Sequence, residues 1–527
     1  MRERPVDGEA GTRGFGLLYL IVFVGGLTSV GTELVASRLL APYFGNSTFI
    51  WAILIGLTLT YLSAGYYIGG RLADRYPSAT FLYLITAVAA FGIGVIPLVS
   101  RPILNASLDA FAAGSVGAFI GALIGTVLLF LVPITLLGCV SPLAIRLRLR
   151  GVNEAGNTAG SLYALSTIGS IAGSFLPVLV LVPYLGTYQA FYIMAIVLGA
   201  ASVIALLSVR ARVPALVAAA LLVAVIAALI FGTPGTLRRA EAGTLLYEGE
   251  SDYNYIQVTR NGDENDLILN DGHAIHSIYN PNQLLTEGPW DYFMIAPYFN
   301  ANQRPEDVRS LCLIGLAGGT TARQFTKVYG PIPIDGVEID PKIVEVGRKY
   351  FDMNEPNLNV IVQDGRYFLK KTDRRYDVIG VDAYRQPYIP FQLTTKEFFQ
   401  EAYDHLNEEG VLVLNAGRYG NDYRLVHAVA DTMKAVFPNV YIIDVARFSN
   451  SMVIATKTPT TATNFAANIA RLPAGSPLRT IGDLSLSAGN VREWQSDGGL
   501  VFTDNRAPVE QVIDQIIIHA AEDETKK

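Results

Sequence analysis

Seven long apolar runs in the first 235 residues constrain the fold of this chain more than any other feature. Each is long enough to cross a bilayer as a helix, which takes about 20 predominantly apolar residues. The runs lie at roughly 14–33, 48–70, 79–100, 114–139, 161–184, 187–208 and 213–232. After residue 235 the charged residues become dense, and no run approaches spanning length. We therefore predict a multi-span α-helical membrane domain of about seven helices followed by a soluble part.

Charge, cysteine content and the N-terminal arginines bear on the partners and sites to expect. The formal net charge of -6 gives no reason to expect a nucleic-acid partner. Cys139 and Cys312 form no metal-ligand spacing, so we expect neither a metal site nor a disulfide framework. Arg2, Arg4 and Arg13 precede the first apolar run, but no convincing cleavage site follows it. We expect that run to be a retained anchor.

The soluble part begins with β-like runs and continues with a strand–helix repeat. Residues 244–280 contain short alternating runs around the turn NGDEN, which predicts a small antiparallel β-sheet. From residue 311 onward, short apolar strands alternate with helix-like segments. Such alternation predicts a parallel sheet covered on both faces, in an α/β Rossmann-like domain of the methyltransferase type. We place the membrane domain at 1–235, the small sheet at 240–300 and the Rossmann-like domain at 301–527.

The stretch LCLIGLAGGTTARQFTKVYGPIPIDGVEID, residues 311–340, has the order of a βαβ nucleotide site. A turn containing Gly315, Gly318 and Gly319 follows the first strand, and Glu338 ends the second. Glycines let the backbone approach a ligand, and an acidic residue about 20 positions later can hold both ribose hydroxyls. This order predicts that the domain binds a nucleoside.

Polar residues also follow the next three strands. Asp364-Gly365 suits an adenine amino group, although Asp364 can equally cap the helix that follows it. Asp382 follows the fourth strand and Asn415 the fifth. Because ligands of parallel sheets bind beyond the carboxyl ends of the strands, these positions predict one shared site.

Several longer segments resemble the spermidine synthase family of polyamine aminopropyltransferases. They are SDYNYIQV (251–258), LNDGHAIHS (269–277), VEIDPKIVEVGRKYF (337–351), VQDGRYF (362–368), YDVIGVDAY (376–384), IPFQLTTKEFF (389–399) and FTDNRAPVE (502–510). With the membrane half, they are most similar to the membrane-bound, spermidine-synthase-like branch. The resemblance implies decarboxylated S-adenosylmethionine, or S-adenosylmethionine itself, as co-substrate and no metal.

The resemblance also implies roles for individual residues. Glu338 would bind the ribose and Asp364 the adenine, while Asn254 stands where the family has a glutamine near the nucleoside. Asp382 would accept a proton from the attacking amine, which must be neutral to react, and Tyr384 belongs to the same catalytic segment. The residues placed at the donor are Asn254, Gly315, Gly318, Gly319, Glu338, Asp364 and Gly365.

The acceptor side departs from the family pattern. Trp290, Asp291 and Tyr292 stand where the family has Tyr-His-Glu, His276 replaces a glutamine, and Arg385 replaces the second aspartate of the catalytic motif. Carboxylates that hold a polyamine dication are therefore largely replaced, and Arg385 favours an acceptor bearing phosphate or carboxylate. Asp291, Tyr292, His276 and Arg385 are the acceptor-site candidates, and His276 is alternatively a turn-stabilising residue.

These observations predict a membrane-bound transferase. It would move an aminopropyl-type group from decarboxylated S-adenosylmethionine to an amine and release methylthioadenosine. A non-catalytic nucleoside sensor and an S-adenosylmethionine-dependent methyltransferase stay as alternatives. We expect the lipid bilayer, an amine acceptor (a polyamine or a lipid headgroup) and a second copy of the chain as partners, and no nucleic acid.

The orientation in the membrane is contradictory at the level of sequence. Arginines mark alternate loops, which places the N-terminus of a multi-pass cell-membrane protein in the cytoplasm. Seven spans would then put the soluble part outside, although an adenosyl donor favours the cytoplasm. Either one segment is re-entrant, for which residues 33–46 are the candidate, or the soluble part is external; we expect it on the cytoplasmic side. Glu33 and Arg38, at the expected end of the first span, form either a polar pocket or an interfacial pair.

Overall fold

The chain folds into two compact units. The computed structural model describes residues 8–45, 48–111, 115–149, 151–232, 236–270, 274–384, 389–487, 489–496 and 498–524. The units are Met1–Arg239 and Ala240–Lys527. The first is helical, and the second combines two β-sheets with helices.

The first unit is built from long apolar helices. Its α-helices among the described residues are Gly8–Phe44 (α1), Thr48–Arg75 (α2), Ala79–Phe111 (α3), Ser115–Gly138 (α4), Val140–Arg148 (α5), Ala155–Leu176 (α6), Val182–Leu185 (α7), Thr187–Ser208 (α8) and Arg212–Ala227 (α9). A π-helical turn, Pro177–Leu181, joins α6 to α7. Seven segments of the described residues are long and apolar enough to cross a membrane. The predicted multi-span helical domain is confirmed.

Glycines allow the first and fifth of these segments to pack closely. A Cβ atom on Gly26 of α1 would lie 2.2 Å from the carbonyl oxygen of Ser166, and one on Gly169 of α6 would lie 2.0 Å from that of Phe23. Without side chains at these positions the two backbones approach directly, which is a common way of packing helices in membranes.

The first helix is longer than the sequence pattern predicted. Helix α1 continues without interruption to Phe44, so a re-entrant turn is absent from residues 33–44. Residues 46 and 47 of that expected segment lie outside the described residues. Glu33 is consequently within the apolar segment Gly16–Phe44 rather than at its end. Pro42 lies near the end of α1 and does not end it. A proline there costs the helix one backbone hydrogen bond, and the many other hydrogen bonds of this long helix remain.

The second unit alternates strands and helices after a short β-meander. Its strands are Thr244–Glu250 (β1), Tyr255–Asn261 (β2), Glu264–Leu269 (β3), Ile275–Tyr279 (β4), Leu311–Ile314 (β5), Ile334–Glu338 (β6), Leu358–Val362 (β7), Tyr376–Val381 (β8), Leu406–Gly417 (β9), Asn439–Asp444 (β10), Asn450–Thr456 (β11) and Arg492–Glu493 (β12). Its helices are Pro289–Phe293 (α10), Thr320–Tyr329 (α11), Pro341–Tyr350 (α12), Gly365–Lys371 (α13), Lys396–Asp404 (α14), Arg424–Lys434 (α15), Ala462–Arg471 (α16), Pro477–Ser487 (α17) and Val509–Glu524 (α18).

The strands form two sheets. Strands β1 to β4 make an antiparallel sheet in chain order, and the other eight form one sheet in the order β12-β10-β11-β9-β8-β5-β6-β7. Strands β7, β6, β5, β8 and β9 are parallel, whereas β11, β10 and β12 each run antiparallel to a neighbour. Strands β6 and β7 extend the sheet on one side of β5, and the chain then returns to add β8 and β9 on the other side. A crevice therefore opens there beyond the carboxyl ends of the strands. The predicted Rossmann-like domain and preceding antiparallel sheet are confirmed.

The central strands are apolar because both faces of the sheet are covered. All four residues of β5 are buried. Cys312 and Ile314 pack into one core on one face, and Leu311 and Leu313 pack into a second core on the other. Alternation of side chains along a strand accounts for this division. The polar residues that end these strands are thereby held at one edge.

Candidate active site

The glycine turn after β5 lies against backbone and side chains of two other strands. Gly315 has φ +90, and a Cβ atom there would lie 2.5 Å from the carbonyl oxygen of Asp382. Gly318 donates its N–H to the Ser277 hydroxyl at 2.8 Å, and a Cβ atom on it would meet the Ser277 side chain at 2.9 Å. Gly319, with φ +87, begins α11. The turn therefore depends on glycine both for conformation and for space.

Glu338, the last residue of β6, directs its carboxylate at this turn. The side chain accepts hydrogen bonds from the backbone N–H of Ala317 (2.9 Å) and of Asp340 (3.0 Å). Glu338 is buried, and this burial raises its pKa to about 7 although the two N–H groups act to lower it. A carboxylate has about four acceptor positions. The carboxylate therefore keeps acceptor capacity for the hydroxyls of a ribose.

The raised pKa of Glu338 leads to an expected pH dependence of stability. The folded protein holds this proton more tightly than the unfolded chain, whose pKa is near the ordinary value of 4.5. The resulting stabilisation is fully present below pH 4.5 and is lost as the pH rises through about 7. We expect the Tm of the unliganded protein to fall between about pH 5 and about pH 8, and to fall less in Glu338→Gln. Equal slopes in the two proteins would contradict the assignment.

Asp364 caps the helix that follows β7. Its carboxylate accepts the N–H of Tyr367 at 2.9 Å, so the capping role weighed from the sequence is present. The next residue, Gly365, packs directly on β5, because a Cβ atom there would lie 2.2 Å from Cγ2 of Ile314. The N–H of Gln363 donates to the carbonyl of Glu338 at 3.0 Å. Asp364 and Glu338 are thus held on adjoining strand ends.

Asp382 follows β8, which pairs with β5 on the side opposite to β6. It accepts hydrogen bonds from Asn415 (2.8 Å) and from the side chain of Trp290. Burial raises its pKa to about 6, and both hydrogen bonds act against this rise. Asn415 is fixed in turn by Asn450, which donates to its side-chain oxygen at 2.8 Å. The arrangement leaves Asp382 ionised at neutral pH but able to accept a proton.

Tyr384 belongs to the same segment but points along the neighbouring strand. Its hydroxyl donates to the carbonyl oxygen of Asn415 at 2.9 Å. Burial, followed by the nearby charge of Asp382, raises the pKa of the phenol. Tyr384 therefore stays protonated at neutral pH and holds the start of the loop that follows β8 against β9.

Asn254 is linked to the end of β6 through the carboxylate of Asp340. It donates to Asp340 at 2.9 Å and accepts from Asn270 at 3.0 Å. Asp340 is completely buried and also accepts from the Ser251 hydroxyl and the N–H of Lys342. Since Asp340 lies two residues after Glu338, Asn254 supports the segment that carries the ribose candidate.

Asp291 and Tyr292, expected at the acceptor, are engaged within the chain. The completely buried carboxylate of Asp291 accepts from Thr286, from the N–H of Glu287 and from Gln324. Burial raises its pKa, against the lowering effect of these bonds. The Tyr292 hydroxyl accepts the N–H of Ala446 at 3.3 Å. Asp291 thus uses its acceptor positions within the chain, whereas the Tyr292 hydroxyl can still donate its own proton.

The remaining acceptor candidates are placed differently. His276 is partly exposed and is the extra residue of a β-bulge in β4, where Leu267 pairs with Ser277 and Ile268 with Ile275. Bulges often redirect a side chain near a functional site. Arg385 lies outside the described residues. Among the residues that the structure describes, no group of three or more His, Cys, Asp or Glu side chains could hold a metal ion.

The segments 389–399 and 502–510 are joined to the donor side by one buried arginine. Arg366, two residues after Asp364, makes paired hydrogen bonds of 2.7–2.8 Å to Glu401 and to Asp504, and one of 3.2 Å to the carbonyl of Gln392. Bidentate pairs of this kind are strong and directional. Arg366 therefore fixes α13 to two segments that are distant in sequence.

Replacing Arg366 by glutamine is expected to destabilise the second unit. Breaking a buried ion pair leaves uncompensated charge; we expect a loss of about 3 kcal/mol, the lower end of the usual range, because the Asp504 side chain is 45% exposed. Urea denaturation followed by tryptophan fluorescence measures this loss. Lys342→Gln, which removes the exposed pair with Glu345, is the control and should cost less than about 1 kcal/mol. Equal losses in both variants would show that the Arg366 network contributes no more stability than an exposed ion pair.

Sequence reasoning missed two groups that complete the site. Trp290 was visible only as part of a substituted motif, and its side chain bonds to Asp382 where neighbouring Asp291 does not. Asn450 comes from an antiparallel strand, so the rule that reads the ends of parallel strands could not find it. Trp290 could have been predicted from its chemistry, because a buried indole N–H normally requires an acceptor.

Comparison with known proteins identifies similar domains. Residues 295–467 match the family model described as "Spermine/spermidine synthase domain". The chain is 37% identical over 217 residues to a probable polyamine aminopropyl transferase of Bifidobacterium longum, covering 40% of this chain and 47% of that protein. It is 30% identical over 213 residues to a polyamine aminopropyltransferase of Thermococcus kodakarensis, covering 37% and 69% respectively. The chain thus spans about half the length of the first of these relatives.

A third similarity extends into the helical unit. A polyamine aminopropyltransferase of Mycobacterium tuberculosis is 27% identical over 423 residues, which cover 71% of this chain and 77% of that protein. This share is larger than the second unit alone can supply. The similarity therefore includes part of the apolar helices.

Proposed function

Because the chain belongs to the polyamine aminopropyltransferase (spermidine synthase) family, we propose that it transfers an aminopropyl group from decarboxylated S-adenosylmethionine to an amine. The observation that carries this proposal is that two carboxylates, Glu338 and Asp382, flank the same glycine turn. The turn donates an N–H to Glu338 and packs against the backbone of Asp382. A nucleoside held by the first carboxylate would extend its reacting end toward the second.

The donor half has the chemistry that an adenosyl group requires. Glu338 retains acceptor positions for both ribose hydroxyls, and Asp364 follows the adjoining strand. Three partly exposed apolar residues, Ile339 (39%), Val362 (51%) and Tyr367 (52%), lie within three residues of these two carboxylates in sequence. Apolar surface of this kind suits the faces of an adenine base. The donor, when bound, supplies a carbon activated by its sulfonium group.

The acceptor half has the chemistry to activate an amine. An amine is protonated at neutral pH and cannot attack carbon until it loses a proton. Asp382, with a pKa of about 6, is ionised at pH 7 and can hold the ammonium and take its proton. The amine nitrogen then bonds to the propyl carbon while the carbon–sulfur bond breaks, and its electron pair stays on sulfur. Trp290 and Asn415 keep the carboxylate oriented throughout.

The membrane unit gives this reaction a location. The seven apolar segments would hold the second unit at a bilayer surface. Tethering raises the effective concentration of an acceptor that is itself at the membrane. We propose the cytoplasmic face as the side on which the donor is bound, which with seven spans requires the N-terminus on the opposite side of the membrane.

A product assay tests the proposed reaction. Purified full-length protein is incubated with decarboxylated S-adenosylmethionine and a mixture of amines, and methylthioadenosine is measured by mass spectrometry. Release of methylthioadenosine that depends on an amine supports aminopropyl transfer. Release of adenosylhomocysteine from S-adenosylmethionine would instead indicate methyl transfer. Binding of methylthioadenosine without turnover under either condition would indicate a nucleoside sensor.

A further inference from the structure

Two amide side chains connect Asp382 to the strand that lies beyond β9. Asn415 on β9 donates a side-chain N–H to the Asp382 carboxylate at 2.8 Å, and its side-chain oxygen accepts an N–H from Asn450 at 2.8 Å. Asn415 is only 5% exposed, whereas Asn450, the first residue of β11, is half-buried. Because water has little access to Asn415, these two contacts largely determine how its amide is oriented. We call Asp382, Asn415 and Asn450 the amide relay.

Strand register explains why Asp382 and Asn415 meet. Val381, the last residue of β8, pairs with Leu414 of β9. The next residues of the two segments are Asp382 and Asn415, so their side chains leave the same face of the sheet side by side. The carboxylate and the amide are therefore close enough for a direct hydrogen bond, as the distance of 2.8 Å shows.

The amide relay continues to β11 on the same face of the sheet. Asn450 pairs with Gly417, which follows Asn415 by two residues on β9 and therefore faces the same side. Gly417 has no side chain, which leaves Asn450 room to reach across it to Asn415. Ser451, the next residue of β11, points to the opposite face and bonds to Asp444 at 2.6 Å. A substitution at Ser451 therefore alters the face that does not carry the relay.

The amide relay has one direction while Asp382 is ionised. A carboxylate only accepts hydrogen bonds, and an amide has its N–H donors at one end and its oxygen at the other. Asn415 must therefore turn its N–H to Asp382 and its oxygen to Asn450, which donates. Hydrogen bonds in such a chain polarise one another, so the N–H of Asn450 strengthens the bond that Asn415 makes to the anion. A stronger hydrogen bond to the charged form of an acid favours that form.

The direction of the amide relay matters for proton transfer. Asp382 must be ionised to take a proton from the amine. Burial raises the pKa of Asp382 to about 6, and the hydrogen bond from Asn415 acts against this rise. Without the N–H of Asn450, the oxygen of Asn415 loses its donor, so the amide is held less firmly in the direction that favours the anion. Protonated Asp382 could then donate to that oxygen, which would stabilise the inactive form.

We infer that Asn450 is a positioning residue of the transfer reaction, which acts through Asn415 to keep Asp382 ionised. This inference rests on the proposed aminopropyl transfer and adds a residue two hydrogen bonds away from the reacting amine. The other side chain that bonds to Asp382, Trp290, is uncharged. The phenol of Tyr384, which interacts with the charge of Asp382, stays protonated at neutral pH. Neither neighbour would therefore mask a change that comes from the amide relay.

A pH profile of the full-length protein tests the inference. The kcat for methylthioadenosine release is measured at saturating decarboxylated S-adenosylmethionine, so that protonation of Glu338 does not limit donor binding. Asn450→Leu, which keeps the size of the side chain and removes the amide, should move the midpoint of the acid limb upward by about 0.5 pH unit or more. The kcat above about pH 8 should stay within about threefold, because the base is then ionised in both proteins. Ser451→Ala, on the opposite face, is the matched control and should leave the midpoint unchanged.

A double substitution separates positioning from a general structural effect. Asn415→Leu should move the midpoint further than Asn450→Leu does. Adding Asn450→Leu to Asn415→Leu should move it no more, because the amide relay is already broken. An unchanged midpoint in folded Asn450→Leu, or an equal shift in both backgrounds, would overturn the inference.

A measurement without turnover makes the test independent of the transfer reaction. Trp290 bonds to Asp382, so its fluorescence should report protonation of that carboxylate when the unliganded protein is titrated with acid. The transition near pH 6 should be absent in Trp290→Phe and in Asp382→Asn, and it should move upward in Asn450→Leu. Absence of turnover with every amine would contradict the proposed transfer, whereas identical titrations of the wild type and Asn450→Leu would overturn the role of Asn450.

Discussion

Replacing Asp382 by asparagine is expected to lower kcat for aminopropyl transfer by about 10²- to 10⁴-fold, the usual contribution of a positioned general base. Asparagine can still accept a hydrogen bond from Asn415 or Trp290, but it cannot take a proton from the amine. Single-turnover release of methylthioadenosine measures the loss. The affinity for methylthioadenosine should stay within a few-fold of the wild type, because Glu338 and the glycine turn are unchanged.

The pH profile gives an independent test of the same residue. Since the pKa of Asp382 is about 6, the wild-type rate should fall as the pH drops below about 6, where the carboxylate is protonated. With saturating donor, so that protonation of Glu338 does not limit donor binding, the acid limb of kcat should disappear in Asp382→Asn. Asp377→Asn provides a control on the same strand, because Asp377 lies at the opposite edge of the sheet and bonds to Ser310 and Asn407. A comparable loss of kcat in that control would indicate a general effect of altering β8.

Replacing Glu338 by glutamine is expected to weaken binding of methylthioadenosine by about 100-fold or more. At pH 8, above the Glu338 pKa of about 7, the carboxylate is mostly ionised. Hydrogen bonds to an ionised group contribute about 1.5–3 kcal/mol each, and two ribose hydroxyls are expected to bind this carboxylate. The substitution also turns one acceptor into a donor that faces the N–H of Ala317 or Asp340. Isothermal titration calorimetry measures the change in Kd.

The control for Glu338 is the exposed carboxylate of the helix that follows it. Glu345 on α12 pairs with Lys342 in solvent, so Glu345→Gln should leave the Kd within about twofold. Unchanged affinity in Glu338→Gln, with the protein folded, would remove the basis for placing the ribose at the end of β6. The proposed function would then lack its donor site.

The sequence alone determined the division of the chain and the order of its elements. Apolar runs of spanning length have no stable alternative to long helices in contact with lipid or with each other, so the helical unit was predictable. Strands β5 and β8 are apolar on both faces, and their polar ends mark one edge of the sheet. Gly315, Glu338, Asp364 and Asp382 could therefore be placed together before any coordinates, since strand direction fixes which ends meet.

The sequence predicts the ends of helices and strands less well where tertiary contacts extend them. The first helix runs to Phe44 rather than ending near residue 33, which moved Glu33 from a span end into the apolar segment. Strand β9 begins at Leu406, before the apolar residues 411–414 that mark the strand in the sequence, because Leu406 pairs with Tyr376 of the neighbouring strand. Pairing of this kind depends on a partner distant in sequence, and local composition does not encode it.

Only the tertiary structure decided which side chains meet at the sheet edge that carries Asp382. Periodicity could not tell that Trp290 reaches Asp382 while Asp291 is consumed by its own loop. Periodicity also could not predict that Arg418 and Arg492 both pair with the Asp444 carboxylate, because β12 pairs with β10 across about fifty residues of chain. Side-chain pairing at a sheet edge follows from strand order, and strand order is a property of the packed domain.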